Sequence, residues 1–417
     1  MKPFHNIAIP HKDILEGKLQ MDIFAADLWE AYHNRGVEEY RDKDTFFHKT
    51  YMTEGLKNLL EIIKKRVNEN SGDPVIQIQT PFGGGKTHAL IAIMHSTKDW
   101  GVNCSVLVGT NLSADDTLWS ILEKQLTGKN EILTGYTAPG KEKIKKILEK
   151  NQPSVILIDE ILEYAVKAAG KKVGDSNLAA QTLAFMQELT ESVSSLEKCS
   201  LVITLPSSSK LEHYDENANQ LLVQLQKVCG RIEKIYTPVN ENEIAKVIRQ
   251  RLFSHIKETE AKKIVEEFVN YAKIENILPT GIEASEYKDK FIDSYPFLPE
   301  VINVLYHRWG SFPEFQRTRG VLRILALLVN HHKNNNIPYL SLADFDLSNQ
   351  EIRLELLKHI GNEYNSIIAQ DITDKESGSK KVDKDLGESN MGLKIGTRTS
   401  TSIFMYSFST GTEKELI

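Results

Sequence analysis

The sequence predicts an α/β fold in which a parallel sheet, covered by helices on both faces, is followed by an all-helical region. The first observation is alternation. Apolar, β-branched runs at "VIQIQ", "CSVLVGT", "SVILID", "SLVITL" and "IEKIYTP" are separated by longer helical or polar stretches such as "THALIAIMHSTK" and "LAAQTLAFMQELTESVSSL". Strands this continuously apolar belong in a sheet buried on both faces and wound by right-handed crossovers. The second observation is a change of texture after Pro238, where "NENEIAKVIRQRLFSHI", "AKKIVEEFVNYAKI", "LPEVINVLYHRWG" and "TRGVLRILALLVNHHKNN" read as helices with no strand among them. The third is length: 417 residues exceed one ordinary domain.

Taken in order, residues 1–49 read as an N-terminal helical extension, in which "DIFAADLWEAYHNRG" is one amphipathic helix ended by Gly36. Residues 50–240 form the α/β core. Its first helix begins at Thr53, lines up Leu56, Leu59, Leu60 and Ile63 on one face, and stops at the Ser-Gly-Asp cluster before the first strand. Residues 241–335 form a helical subdomain, and 336–417 a C-terminal region. In that last region "DITDKESGSKKVDKDLGESN" reads as a mobile loop and "TSTSIFMYSF" as a strand.

Composition narrows the function. Lysine and arginine number 51 against 57 aspartates and glutamates, so no global basic field draws the chain to nucleic acid or anionic lipid, although a local patch is compatible with these totals. Cys104, Cys199 and Cys229 are far apart in apolar surroundings, as expected of buried thiols in a reducing compartment. His331 and His332 precede "KNNN" and read as a solvated helix end, not a zinc site. The N-terminus lacks the apolar core of a secretion signal, and no uncharged run approaches the roughly 20 residues of a membrane span, so a cytoplasmic protein without membrane contact is expected.

The chemistry concentrates in "VIQIQTPFGGGKTHALIAIMH". A phosphate-binding P-loop runs G-x-x-x-x-G-K-[ST]; here Gly85, Lys86 and Thr87 fill the last fixed positions and Thr80 stands in place of the first glycine. Gly83, Gly84 and Gly85 let the backbone turn its N–H groups toward phosphate oxygens at a helix N-terminus. Lys86 would neutralise the β and γ phosphates of ATP, and Thr87 would ligate Mg2+. A plain glycine-rich turn is the alternative, but strand, loop, Gly-Lys-Thr and helix follow in the order a nucleotide site needs. Pro81 holds its own φ near about −65° and keeps Thr80 extended, so the loop takes its conformational freedom late, at the glycines.

A second motif, "SVILIDEILEYA", ends an apolar strand in Asp159 and Glu160. Asp159 would reach the magnesium and Glu160 would polarise the attacking water, since ligands of such sheets gather at the carboxyl ends of the strands. On "CSLVITLPSSS", Thr204 could sense the γ phosphate or hold the lytic water; an ordinary strand exit capped by serines is the other reading. Phosphoryl transfer also uses an arginine near the γ phosphate. Arg231, Arg317, Arg319 and Arg323 are the candidates, Arg319 best placed one residue after a Thr318 N-cap, with surface ion pairing the plainer role for each.

Together these residues resemble the AAA+ ATPases of the P-loop NTPase superfamily, in particular the branch with a helical lid after the core, as in origin-recognition ATPases. On that resemblance the fold is an AAA+-like three-layer αβα core with an α-helical lid. "TPFGGGKTH", including His88, would be Walker A, "VILIDE" Walker B, Thr204 the sensor 1 region, Arg231 near an arginine-finger position and Arg319 near sensor 2. More specifically, "TPFGGGKTHAL", "YPFLPEVINVLYHRWG" and "FQRTRGVLRILALLV" look like the bacterial and archaeal family called domain of unknown function 499, and "PHKDI", "FAADL" and "FFHKTYMTEGL" extend the likeness to the N-terminus. The resemblance implies longer chains than this one, of which this would be a fragment. It also implies a prokaryotic setting beside DNA methylases and helicases in phage defence, hence a protein or DNA partner in a defence or restriction-type system.

The expected function is an ATPase (a hydrolase) that uses ATP and Mg2+ to change the conformation of a partner. The alternative is an ATP-dependent switch or scaffold with negligible turnover. A small-molecule kinase is disfavoured by the lack of a second acceptor site, and a GTPase by the lack of an N-K-x-D tetrapeptide. If Arg231 serves a neighbour's site, the active form is a homo-oligomer.

Overall fold

A computed structural model describes residues 1–17, 24–80, 85–206, 216–229, 234–312, 315, 318–387 and 392–408. The chain divides into two compact units, a core unit of residues 26–48 and 52–241 and a helical unit of residues 1–25, 49–51 and 242–417. The strands are β1 (Ala8–Pro10), β2 (Val75–Thr80), β3 (Asn103–Val108), β4 (Ser154–Asp159), β5 (Lys172–Val173), β6 (Ser176–Asn177), β7 (Cys199–Pro206), β8 (Lys234–Tyr236) and β9 (Phe253–Ile256).

In the core unit the sheet order is β3-β4-β7-β2-β8, with every neighbouring pair parallel. Alternate residues of each buried strand serve opposite faces. Ile76, Ile78, Val106, Val155, Leu157 and Val202 pack into one apolar layer, while Leu107, Ile156, Ile158, Leu201, Ile203 and Leu205 pack into the other. This two-fold period under two apolar layers is why the strands read as unbroken apolar runs. Replacing a fully buried residue such as Ile158 by alanine would cost about 2–5 kcal/mol.

Helix α1 (Glu54–Glu69) starts where Thr53 accepts a hydrogen bond from Leu56 N (3.1 Å) and ends at Asn70 in the left-handed conformation. Helix α2 (Lys86–Trp100) follows the glycine-rich loop and is buried continuously from Ala89 to Thr97. Both pack on the first layer. The second layer is covered by α3 (Leu118–Thr127), α4 (Lys141–Lys150), α5 (Ile161–Ala169), α6 (Leu178–Ser194) and α7 (Glu216–Cys229). The α/β sandwich is therefore the predicted one. Between α5 and α6 the short hairpin of β5 and β6 is an addition that two-residue strands could not announce in the sequence.

The helical unit contains α8 (Ile244–Leu252), α9 (Glu258–Ile274), α10 (Ala284–Ser294), α11 (Thr318–His332), α12 (Gln350–Ile360), α13 (Gly378–Asp385) and α14 (Ile395–Ser407). Several expectations are corrected here. The region after Pro238 does contain a strand: β9 pairs antiparallel with β1, Ala8 opposite Ile256 and Ile9 opposite His255. Its partner lies at the other end of the sequence, so no local pattern reveals it, and the N-terminal segment is correspondingly not all helix. In "DIFAADLWEAYHNRG" the described helix is only Leu28–Tyr32, started by Asp27, which accepts from Glu30 N at 2.9 Å.

The segment read as a loop, "DITDKESGSKKVDKDLGESN", instead carries most of a π-helical turn at Ala369–Thr373 and helix α13, anchored by the buried Ile372, Ser379 and Asp383, while its residues 388–390 lie outside the described residues. "TSTSIFMYSF" is not a strand but the body of α14. Its threonines favour extended backbone, yet Asp383 accepts from Gly396 N (2.6 Å) and Thr397 Oγ1 (2.6 Å) at the helix start, and Phe404, Met405 and Phe408 turn inward at helical spacing. Trp309 Nε1 closes the end by donating to Met405 O at 2.9 Å.

Candidate functional site

The sheet order decides the site. Between β2, which leads into the glycine-rich loop, and β4, which ends in Asp159, lies β7. Ile78 of β2 stands opposite Thr204 of β7, and Ile203 stands opposite Ile158 of β4. Thr204 therefore sits at the level of Asp159, at the carboxyl ends of the strands.

Thr204 Oγ1 donates a hydrogen bond to Asp159 Oδ1, and Thr87 Oγ1, from the first turn of α2, donates to Asp159 Oδ2 at 2.8 Å. Both Asp159 and Thr204 are buried. Burial pushes the Asp159 carboxyl above its ordinary range, opposed by the hydroxyls of Thr204 and Thr87 and by the charge of Lys86. Just before Lys86, Gly85 adopts φ +81°, a conformation that favours glycine and turns the loop into the helix.

Glu160 follows in the left-handed conformation at φ +52°, which is uncommon and strained for a residue with a side chain. Its backbone N–H is held by Asp159 Oδ1 (3.1 Å) and Thr204 Oγ1 (3.3 Å). Its carboxylate accepts from Thr110 Oγ1 at 2.7 Å. Partial desolvation raises the Glu160 pKa, an effect tempered by the exposure of the residue; the Thr110 hydroxyl opposes it, and the carboxylates of Asp159, Glu163 and Asp27 add to it.

Thr110 joins the candidate site through this bond to Glu160, and no sequence motif marks it. Its signal is positional: "VLVGT" ends the strand next to "VILID", and because Val108 pairs with Asp159, Gly109 and Thr110 emerge beside Glu160. A Cβ on Gly109 would lie 2.0 Å from Glu160 O, so only glycine permits this approach. Lys167 of α5 straps the same segment by donating to Thr110 O (2.8 Å) and Leu112 O (3.1 Å).

His88 packs edge-on to Tyr40 and at 4.5 Å from the Phe46 ring. Arg319 is the second residue of α11 in the helical unit. Arg323, four residues on, lies 2.8 Å from the buried Glu355, an ion pair that gives it a structural role. Gly83, Gly84, Arg231 and Arg317 lie outside the described residues.

The donors present fit a small hard cation held together with a phosphate. Thr87 and Asp159 supply a hydroxyl and a carboxylate, the oxygen pair that magnesium takes when substrate phosphates and water complete its shell. Among the described residues no group of three or more His, Cys, Asp or Glu could hold a metal ion by itself. No helix among them is long and apolar enough to cross a membrane.

Residues 5–109 and 108–237 match the family model of the DUF499 N-terminal domain, and residues 239–416 that of the DUF499 second domain. Among solved structures, the Aeropyrum pernix Orc1 protein in complex with DNA is similar at 14% identity and a TM-score of 0.35, over 86% of this chain and 77% of that chain. No curated protein matches.

Proposed function

The chain belongs to the DUF499 family, and from that premise we propose that its core unit is a magnesium-dependent ATPase. The observation that carries the reading is the linkage Thr87–Asp159–Thr204, with Glu160 one residue beyond, at the carboxyl ends of β2, β4 and β7. Lys86 would face the β and γ phosphates; Thr87 and Asp159 would hold Mg2+, which when bound neutralises phosphate charge. Thr204 fixes Asp159 and the Glu160 backbone together. Glu160, with its pKa raised, is suited to take a proton from water. Gly83 and Gly84 complete the phosphate cradle in this reading, with Arg231 and Arg319 as arginines acting on the γ phosphate.

Turnover would drive a conformational change in a protein or DNA-associated partner in a phage-defence setting, as the family resemblance implies; the active form would be a homo-oligomer if Arg231 serves a neighbour's site. The second reading, an ATP-dependent switch, draws support from the bond between Thr110 and Glu160, which occupies the carboxylate that hydrolysis would use.

Steady-state phosphate release from ATP and Mg2+, with and without duplex DNA, separates the readings. We expect turnover in the wild type, a loss of at least about 100-fold in Lys86→Ala and Glu160→Gln, and ATP binding retained only in Glu160→Gln. ATP binding with no turnover in any condition would establish the switch, and absence of binding would remove both.

A further inference from the structure

Helix α5 begins directly after Glu160, which occupies its N-cap, and the same helix grips the segment that carries Thr110. Tyr164 is fully buried, and its hydroxyl donates to Asp116 O at 2.6 Å. Lys167 Nζ donates to Thr110 O (2.8 Å), Leu112 O (3.1 Å) and Gly109 O (3.4 Å). Lys171, just past the helix end, pairs with Asp115 Oδ1 at 2.5 Å, and its Nζ lies 3.6 Å from the centre of the Tyr136 ring. Positions 164, 167 and 171 fall on one helical stripe, so residues 109–116 are tied along α5 at three points.

Of the three, Lys167 holds the turn Gly109–Asn111 itself. It stands seven positions after Glu160, about 10 Å of helical rise, and a helical side chain leans back toward the N-terminus. An ammonium offers three donors in a compact tripod, and three carbonyls of one short segment converge on it. Thr110 is consequently fixed from two sides, its carbonyl by Lys167 and its hydroxyl by the Glu160 carboxylate at 2.7 Å. Gly109 leaves no slack between them, since a Cβ there would stand 2.0 Å from Glu160 O. Both partners of the Thr110–Glu160 bond are thus anchored to one helix.

We propose, on the reading of Glu160 as the base of an ATPase, that Lys167 is a positioning residue: its ammonium fixes the turn on α5 and so keeps the Thr110 hydroxyl on the Glu160 carboxylate. Lys167 acts only through Thr110 and has no part in holding phosphate or metal. The plainer role, supplying donors to the carbonyls of a tight turn, predicts a loss of stability with no selective effect on rate.

The test compares the full chain with Lys167→Met, Lys167→Arg, Thr110→Val, the double variant Lys167→Met/Thr110→Val, and Lys171→Met. Phosphate release from ATP and Mg2+ gives kcat and KM, and hydrogen exchange with mass spectrometry follows the amides of residues 109–112. Lys171→Met is the control, because it removes the same charge from the same stripe and frees Asp115, well past Thr110. Lys167→Met should raise kcat about threefold or more, in the same direction as Thr110→Val, with KM within about twofold of wild type. The double variant should match Thr110→Val within about twofold, since both changes remove one interaction. Lys167→Arg, which keeps donors for the carbonyls, and Lys171→Met should both stay within about twofold of wild type. Exchange at 109–112 should quicken about fivefold or more in Lys167→Met and not in Lys171→Met. An additive double variant, a kcat that is unchanged or moves against Thr110→Val, a KM that shifts in step with kcat, or an equal effect of Lys171→Met would overturn the proposal. Unchanged exchange beside measurable turnover would remove the proposal alone, whereas no turnover in any variant would remove the ATPase reading and the proposal with it.

Discussion

At the scale of the residue, the site is a short chain of hydroxyls and carboxylates whose members came from separate readings of the sequence. Lys86, Thr87, Asp159 and Glu160 were legible because each occupies a fixed place in a motif whose strand and helix context is also written locally. Thr204 was legible only as a possibility, since its meaning depends on β7 lying between β2 and β4, and strand order is not a local property. Thr110 was not read at all: a threonine after an apolar strand has no signature until Val108 is known to pair with Asp159. Its hydroxyl, 2.7 Å from Glu160 Oε2, restrains the carboxylate expected to act as base. A hydrogen bond to a charged group contributes roughly 1.5–3 kcal/mol, so releasing part of that restraint should be visible in rate. Thr110→Val is expected to raise basal phosphate release about fivefold, and a fall in turnover would mean that the bond aims Glu160 instead of restraining it. Gly109→Ala should act in the opposite sense. The added methyl must displace the Glu160 carbonyl, so turnover should drop by about tenfold or more while ATP affinity, which the proposed function assigns to Lys86 and Thr87, changes little; equal loss of both would refute that division.

At the scale of the element, strands and helices with one dominant local cause were predicted and those with a tertiary cause were not. The sheet strands are apolar because both faces are covered, and α1 carries its own N-cap and apolar stripe; both signals sit within a few residues of their consequence. Helix α14 and strand β9 depend on Asp383, Trp309 and β1, none of them adjacent in sequence. Helix α2 illustrates a cost of continuous burial. His95 is fully buried, its Nε2 lies 2.8 Å from Tyr40 O, its Nδ1 has no hydrogen-bond partner among the described residues, and its ring sits 5.3 Å from that of Phe46. Burial holds its pKa below the ordinary histidine value, against the opposing pull of the Tyr40 carbonyl. In the unfolded chain the same imidazole titrates near about 6.5. As pH falls below that value, the unfolded state takes up a proton that the folded state refuses, so stability declines until the depressed folded pKa is reached. The slope for one such group is at most about 1.4 kcal/mol per pH unit. Urea unfolding of the wild type at pH 7.5 and pH 5.5 should show this loss, and His95→Phe should flatten it; an equal pH dependence in the variant would assign the loss elsewhere, with His332, also buried and depressed, the next group to test.

At the scale of the whole molecule, the two units do not follow the sequence in blocks. The helical unit takes residues 1–25 and 49–51 from before the sheet as well as residues 242–417, whereas residues 26–48 belong to the core unit. Linear reading separates regions where texture changes, and it has no means of assigning a short opening segment to a partner more than two hundred residues away. The physical tie is specific. Phe4, Ile7 and Ala8 are fully buried, Phe4 N donates to Ile337 O at 2.8 Å, Lys257 N donates to Ile7 O at 3.0 Å, and β1 completes the edge of β9. Burying the phenylalanine and isoleucine side chains alone contributes about 3–6 kcal/mol, a large part of the roughly 5–15 kcal/mol by which a domain is ordinarily stable. Removing residues 1–11 should therefore destabilise the helical unit and spare the core, whose apolar layers include none of these residues. Limited proteolysis followed by mass spectrometry gives the readout: cleavage within 242–408 should accelerate at least tenfold in the truncated protein while a fragment spanning 52–241 persists at its wild-type rate. Simultaneous loss of both fragments would show that the core draws its stability from the helical unit, and the division of the chain into two separately cohesive bodies would have to be abandoned.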